Sequence, residues 1–330
     1  MMNFEVGEVH RKAPHLLADL VELYLIISNW ESLSKSDVSQ LVAQGVISSE
    51  EIDDVERHTS DITDAEENEL QDIYVENLWL QLIYRQNNMG EYYPFFIDGN
   101  TLCRKPIDLA RDADKFNLYI LLLACSRLRS FPAAGGVRQR WAKLFAIVSR
   151  EAMVSMLPEH SEVHIFDANS DDRRRIYGTD LRDALKLLAS KMAFVSMDNA
   201  IDEQKPGGDY GIDLVGMVRF DDNGSGEHFI LGQCGAQEEE WPSKTLESHP
   251  IALRPVINIT HDGTNTMFTP VCYRQPSGVW VNLRPTGGTL VIDRPRILKL
   301  ISKNDERLVN IMSLEDFSSF IREFSSVSIQ

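Results

Sequence analysis

The residues best placed to do chemistry are an aspartate and a glutamine on two neighbouring apolar runs. Asp213 heads the run Leu214-Val215-Gly216, directly behind the glycine-rich lead-in Gly207-Gly208-Asp209-Tyr210-Gly211-Ile212. Gln233 interrupts a second run, Phe229-Ile230-Leu231-Gly232-Gln233-Cys234. A turn, Asp221-Asp222-Asn223-Gly224-Ser225-Gly226, separates the two. The runs are expected to pair as a β-hairpin that brings the acid and the amide to a shared strand end. An acid entering an apolar strand is costly unless it is paired or metal-bound. Hard oxygen donors in this arrangement suit a divalent cation. Asp209, within the glycine-rich loop, reads as a turn residue, and Cys234 as a small buried apolar side chain.

The elements that must hold this hairpin are legible on both sides of it. Pro14 to Trp30 has apolar residues at three- and four-residue spacing, with Pro14 where a first helical turn tolerates it. Further helices are expected at 36–42, 70–86, 117–129 and 137–157, and the strongly apolar 117–129 segment should be buried. Val163 to Asp167 reads as a short strand, and Thr179 to Ala193 as a helix with Asp180 and Asp183 near its start. After His249, short strands are expected at 252–259, 266–273, 279–283 and 289–292, separated by Gly, Pro, Asn and Asp turns. A final amphipathic helix begins near Ser313, with Ser313 and Asp316 spaced like a capping box. The best linker is Ser130 to Gly136. The expected fold class is therefore mixed α/β (α+β): a helical N-terminal domain, residues 1–135, followed by an α/β domain, residues 136–330.

Composition narrows the classes. The chain has 330 residues, 43% of them hydrophobic and 25% charged, as in a soluble globular protein of about two domains. No apolar run approaches the roughly 20 residues that cross a bilayer, and Met1 to Glu8 lacks the pattern of a signal peptide. The four cysteines (Cys103, Cys125, Cys234, Cys272) are scattered without a CxxC pair, which fits reduced thiols in the cytoplasm and argues against zinc. The net charge of −17 is unlike that of a protein that captures nucleic acid alone. From Glu50 to Glu76 there are twelve acids and one base, Arg57, whereas Arg173, Arg174 and Arg175 form a basic cluster. The acidic stretch points to a partner protein and the basic cluster to a small groove, although either is also what a solvated face looks like. No GxxxxGK[ST] phosphate cradle and no Ser/His or Cys/His constellation stands out.

Asp209-Tyr210-Gly211-Ile212-Asp213 followed by Gln233-Cys234-Gly235 resembles the PD-(D/E)XK nuclease superfamily, most closely its Mrr-like restriction-endonuclease branch, over roughly residues 166–244. The resemblance implies a restriction-endonuclease-like C-terminal domain and Mg²⁺ (or Mn²⁺) as cofactor. Asp213 would be the main metal ligand, Gln233 the second, and Asp183 an assisting acid from the preceding helix. The pattern departs where its lysine is expected: that position is Gly235. Gly232-Gln233-Cys234 with Trp241-Pro242-Ser243-Lys244 is similar to a bacterial subgroup that carries a Trp-x-x-Lys element, and Lys244 then takes the lysine's role. Members of that subgroup look like phage-defence proteins. The implied function is a DNA endonuclease in a multi-protein antiviral defence system, working with DNA and a helicase or other ATPase partner. The alternative is a nuclease-fold subunit that has lost catalysis and serves as an interaction component.

Overall fold

The computed structural model describes residues 2–5, 13–43, 64–106, 108, 112–132, 136–236 and 241–329. The acidic stretch up to residue 63 and the centre of the expected linker, 133–135, lie outside the described residues. The chain forms two compact units, and it is mixed α/β. The first unit comprises residues 1–141, 271–281 and 312–330; the second comprises 142–270 and 282–311. This differs from a division into 1–135 and 136–330, because two C-terminal segments belong with the N-terminal unit.

The first unit contains β1 (Met2–Phe4), α1 (Pro14–Ile27), β2 (Ser32–Ser34), α2 (Lys35–Ala43), α3 (Asp64–Asn88), β3 (Phe95–Asp98), β4 (Thr101–Arg104) and α4 (Ala113–Cys125). The segment expected to be helical, apart from a short extended piece at 92–96 and a turn at 98–100, carries an antiparallel sheet of order β2-β4-β3 in which that piece contributes to β3. α5 (Val137–Val154) runs from the first unit into the second. Near the C-terminus, α12 (Glu315–Ser325) and β12 (Val327–Ile329) return to the first unit, where β12 pairs with β1 in parallel. The reason is aromatic packing. Phe317, Phe320 and Phe324 lie along one face of α12, and Phe320 and Phe324 close on Trp141 while Phe131 meets Trp141 and Phe324. Trp141 Nε1 donates to Glu323 at 2.8 Å. The expected capping box is absent: Leu314 is the N-cap of α12, with no side-chain cap.

At the centre of this unit is a buried polar network. Arg85 of α3 pairs with Asp19 at 2.7 Å and Glu22 at 2.9 Å, both on α1, and all three side chains are fully buried. Tyr93 and Tyr119 hydroxyls donate to the two oxygens of Glu22. Burial lowers the pKa of His15 on the same helix to about 4.

The second unit contains β5 (Glu162–Ile165), α6 (Leu181–Lys191), β6 (Val195–Ser196), α7 (Asp198–Asp202), β7 (Leu214–Val218) and β8 (His228–Cys234). It continues with α8 (Trp241–Lys244), α9 (Pro250–Leu253), β9 (Ile257–Asn258), β10 (Thr264–Phe268), β11 (Leu290–Ile292), α10 (Arg294–Ile301) and α11 (Asp305–Met312). Five strands form a sheet of order β11-β10-β8-β7-β5. β5, β7 and β8 are antiparallel, whereas β10 and β11 run parallel to β8.

Two expectations for the C-terminal half fail locally. Within 252–259, Pro250 opens a helical turn capped by His249, so only Ile257 and Asn258 are extended. Within 279–283, Trp280 makes an isolated bridge to Arg274, whose guanidinium lies 3.4 Å from the Trp280 ring centroid. That tight cation–π pair organises a turn where a strand was expected.

Among the described residues, no helix is long and apolar enough to cross a membrane.

Candidate metal centre

The expected hairpin forms, with β7 and β8 paired antiparallel. Leu214 faces Gly232 at the last paired step, and Asp213, just before β7, donates its N–H to the Gly232 carbonyl at 2.9 Å, which sets it at the end of β8 where Gln233 shares the face of Leu231 by strand alternation. Val215, Met217, Phe229 and Leu231 continue that face and pack with Ala184, Leu185 and Leu188 of α6. The acid and the amide are therefore the polar end of an otherwise apolar sheet face. Strand alternation sends their neighbours Leu214 and Gly232 to the opposite face.

Three chain segments meet at this end. Phe166 N–H donates to the Asp213 carbonyl at 2.6 Å and extends the β5–β7 ladder by one step, which puts Asp167 at its margin. The loop before β7 turns through Gly208 (φ 101°), Tyr210 (φ 61°) and Gly211 (φ 75°). A side chain at Gly211 would also meet the Glu247 carbonyl at 3.0 Å, so glycine is required there on two counts. Tyr210 occupies the left-handed region without that freedom, a local cost that the surrounding loop sustains. The result is a cluster of Asp167, Asp209 and Asp213, with one carboxylate oxygen from each lying within 4.8 Å of the others.

Each acid is held by a backbone donor. Asp167 Oδ1 accepts from Asn169 N–H at 2.9 Å, and Asp209 Oδ1 accepts from Gly211 N–H at 2.9 Å. Asp213 Oδ2 accepts from Cys234 N–H at 2.7 Å, across the hairpin. Burial pushes the Asp213 carboxyl up from 3.8 to about 7; the bond from Cys234 opposes this, and the charges of Asp209, Asp167 and Glu247 add to it. A carboxyl in this state gives up its proton readily to a cation, which removes both the desolvation cost and the mutual repulsion.

Gln233 supplies an independent sign of a ligand. Its Nε2 donates to Glu247 Oε2 at 2.6 Å, which fixes the amide orientation because two facing oxygens would repel. Gln233 is 9% exposed, and its Oε1 is buried with no hydrogen-bond partner. An orphaned buried acceptor costs about 1–3 kcal/mol, which a cation or a bound water would recover. The donor set of carboxylate and amide oxygens fits Mg²⁺ or Mn²⁺, and contains no thiolate or imidazole that would favour zinc.

The sequence-derived site residues are distributed unevenly. Asp213 is bonded across the hairpin to Cys234, the residue after Gln233. Asp183 is exposed on the first turn of α6 and is not a member of the acid cluster; Asp180, the N-cap of that helix, is engaged with Arg182. The acids that lie beside Asp213 are Asp167 and Asp209, and Glu247 is hydrogen-bonded to Gln233. Their signal was present in the sequence: Asp209 lies four residues before Asp213, and Asp167 follows the strand that pairs with β7 by two residues. Lys244 ends α8, and its carbonyl accepts from Glu247 N–H at 3.0 Å.

Gly235 is closed to any side chain, since a Cβ there would stand 2.4 Å from Trp241 Cβ. Trp241 fills the space beside Gly235, the position at which the sequence resemblance leads to the expectation of a lysine. Of the three consecutive arginines, Arg174 and Arg175 pair with Asp171 and Asp172, and Arg173 is fully buried.

None of the four cysteines is in a disulfide, as the spacing indicated, and burial holds the Cys234 thiol far above its ordinary value. No family model matches the chain, and neither a curated protein nor a solved structure matches it.

Proposed function

We propose that the second unit binds Mg²⁺ or Mn²⁺ at Asp167, Asp209 and Asp213 and hydrolyses phosphodiester bonds in DNA. The observation that carries this reading is the three-carboxylate cluster at the joined ends of β5, β7 and β8, beside the orphaned oxygen of Gln233. The order of elements around it supports the resemblance to restriction-endonuclease-like proteins. A helix precedes three antiparallel strands, the acid opens the second and the amide lies near the end of the third, and helical turns lead to a strand parallel to the third.

Bound at these oxygens, a divalent cation polarises a phosphate oxygen and lowers the pKa of a water. The chain's own contribution is positional. Asp213 is held by Cys234 N–H, Gln233 is oriented by Glu247, and the glycine-rich loop delivers Asp209 to Asp213. Lys244, on α8 three residues before Glu247, is the proposed cation that steadies the attacking water and the developing phosphate charge.

The acidity of the chain assigns DNA capture to a partner subunit, such as a helicase or other ATPase, in a cytoplasmic system acting against phage or foreign DNA. A second reading, a nuclease-fold subunit without catalysis, is favoured by one observation: Trp241 occupies the space beside Gly235 where the superfamily's lysine would project.

Cleavage of supercoiled plasmid and single-stranded DNA with Mg²⁺ or Mn²⁺ separates the two. Cutting by the wild type that is lost in Asp213→Ala, Asp209→Ala and Lys244→Ala supports the nuclease. Retained Mn²⁺ binding with no cutting, alone or with partner proteins, supports the non-catalytic subunit. Absence of Mn²⁺ binding removes the metal reading altogether.

A further inference from the structure

Resting on the metal reading above, we infer that Arg173 is the positioning residue that brings Asp167 and Asp209 to ligand distance. The two acids lie in segments far apart in sequence, and one guanidinium joins them. Arg173 Nη1 donates to the Phe166 carbonyl at 3.1 Å and to the Gly208 carbonyl at 3.3 Å. Those carbonyls belong to the residues immediately before Asp167 and Asp209. Nε donates to the Gly178 carbonyl at 3.0 Å, and the guanidinium lies 4.5 Å from the Phe166 ring centroid. Arg173 N–H is itself anchored on Ser170 Oγ, which donates to the Ile165 carbonyl.

This arginine is fully buried, makes no ion pair with any described residue, and leaves Nη2 buried without a hydrogen bond. A fixed cation in such a place needs an electrostatic partner. Burial works against its charge, and Asp209, Asp167 and Asp180 work for it. Arg173 thus does two things through one group: it ties the backbone under two acids, and its charge relieves their repulsion before a cation arrives. Lysine, with a single ammonium, cannot span both carbonyls and stack on Phe166 in the same way. The five-residue π-helical turn, Arg173–Tyr177, is what aims the side chain inward while Arg174 and Arg175 face out.

The test uses the full chain with Arg173→Gln and Arg173→Lys, and two readouts. The first is hydrogen exchange without metal. Arg173→Gln is expected to lose protection at Asn169 and Gly211, whose N–H groups hold the two acids, while β7 and β8 keep theirs. The second is Mn²⁺ binding followed by electron paramagnetic resonance. Loss of about 10- to 100-fold in affinity is expected for Arg173→Gln, with a smaller loss for Arg173→Lys.

Wild-type affinity and unchanged loop exchange in Arg173→Gln would overturn the inference. Equal loss of protection in loops and strands would overturn it too, since that marks a general structural role. Should Arg173→Gln fail to fold, the same two readouts on Arg173→Lys decide: weaker binding with loop-confined exchange supports the inference, and wild-type values reject it. If the wild type binds no Mn²⁺, the metal reading fails, and loop exchange still decides whether Arg173 sets the two acids.

Discussion

Replacing Asp213 by asparagine should make the metal-free protein more stable, and increasingly so as pH rises. In the folded chain burial raises this carboxyl from 3.8 to about 7, so between those values the folded state holds a proton that the unfolded state has released. Stability from this group therefore falls as pH rises through that window and levels off above it. Three pKa units at 1.36 kcal/mol each give a ceiling of about 4 kcal/mol, of which about 2.5 kcal/mol accrues between pH 5 and pH 8. Asparagine never ionises, and its side-chain oxygen can still accept the Cys234 N–H bond. The advantage of Asp213→Asn over wild type should thus grow by about 2.5 kcal/mol from pH 5 to pH 8. The assay is urea-dependent hydrogen exchange of peptides spanning β7 and β8, with EDTA present and intrinsic rates corrected for pH. This reads the second unit without relying on a global two-state transition. Adding Mn²⁺ should reverse the order, because a ligand that binds only the folded wild type stabilises it in proportion to RT ln(1 + [L]/Kd). Parallel pH profiles for the two proteins would refute the reasoning, since they would mean that Asp213 ionises in the folded state as it does in water.

Other expectations follow from single contacts. Gly235→Lys should not install a working lysine; with Trp241 Cβ 2.4 Å from the new Cβ, it should destabilise β8 and α8 by about 1–3 kcal/mol, seen as faster exchange of β8 amides. Gln233→Glu places a carboxylate against Glu247, so it should weaken the metal-free fold, and Mn²⁺ should raise its melting temperature more than it raises the wild type's. Lys244→Ala should abolish any cleavage while leaving Mn²⁺ binding unchanged, which separates a role in the chemistry from one in holding the metal. In the first unit, Arg85→Met strands Asp19 and Glu22 without their cation and should cost about 3–5 kcal/mol in urea unfolding; the triple change to apolar residues should cost far less.

How much of this was legible depends on the range of the interaction that decides each feature. The hairpin was, because a turn between two apolar runs is a local signal, and the helices at 14–27, 137–154 and 181–191 announced themselves by spacing. The return of α12 to the first unit was not, since it rests on Phe320 and Phe324 meeting Trp141, about 180 residues earlier in the chain. The strands β2 and β4 were hidden for a related reason, although the extended piece that becomes β3 and the turn after it were legible. The strands are three or four residues long and owe their existence to one another rather than to any alternation of their own.

The site divides along the same line. Asp213 and Gln233 could be placed at a shared strand end in advance because a hairpin relates them by counting. Asp183 lies outside the acid cluster, because it sits on a helix whereas the cluster gathers at strand ends and a loop. The first turn of α6 is an exposed N-terminus at which any acid is welcome, so Asp183 is accounted for by the helix dipole alone. Asp167 is also held locally, by Asn169 N–H, but that bond does not explain its place beside two other acids. It stands just past the end of β5, beside Asp213, and its proximity to two other carboxylates costs energy in the absence of a cation. An acid that local structure explains says little about function, whereas one that local structure leaves repelled and half-buried asks for a ligand. By that criterion Asp167, Asp209 and Asp213 belong together and Asp183 does not, and the same criterion ranks the buried, unpaired Arg173 above the exposed Arg174 and Arg175 as the arginine that serves the site.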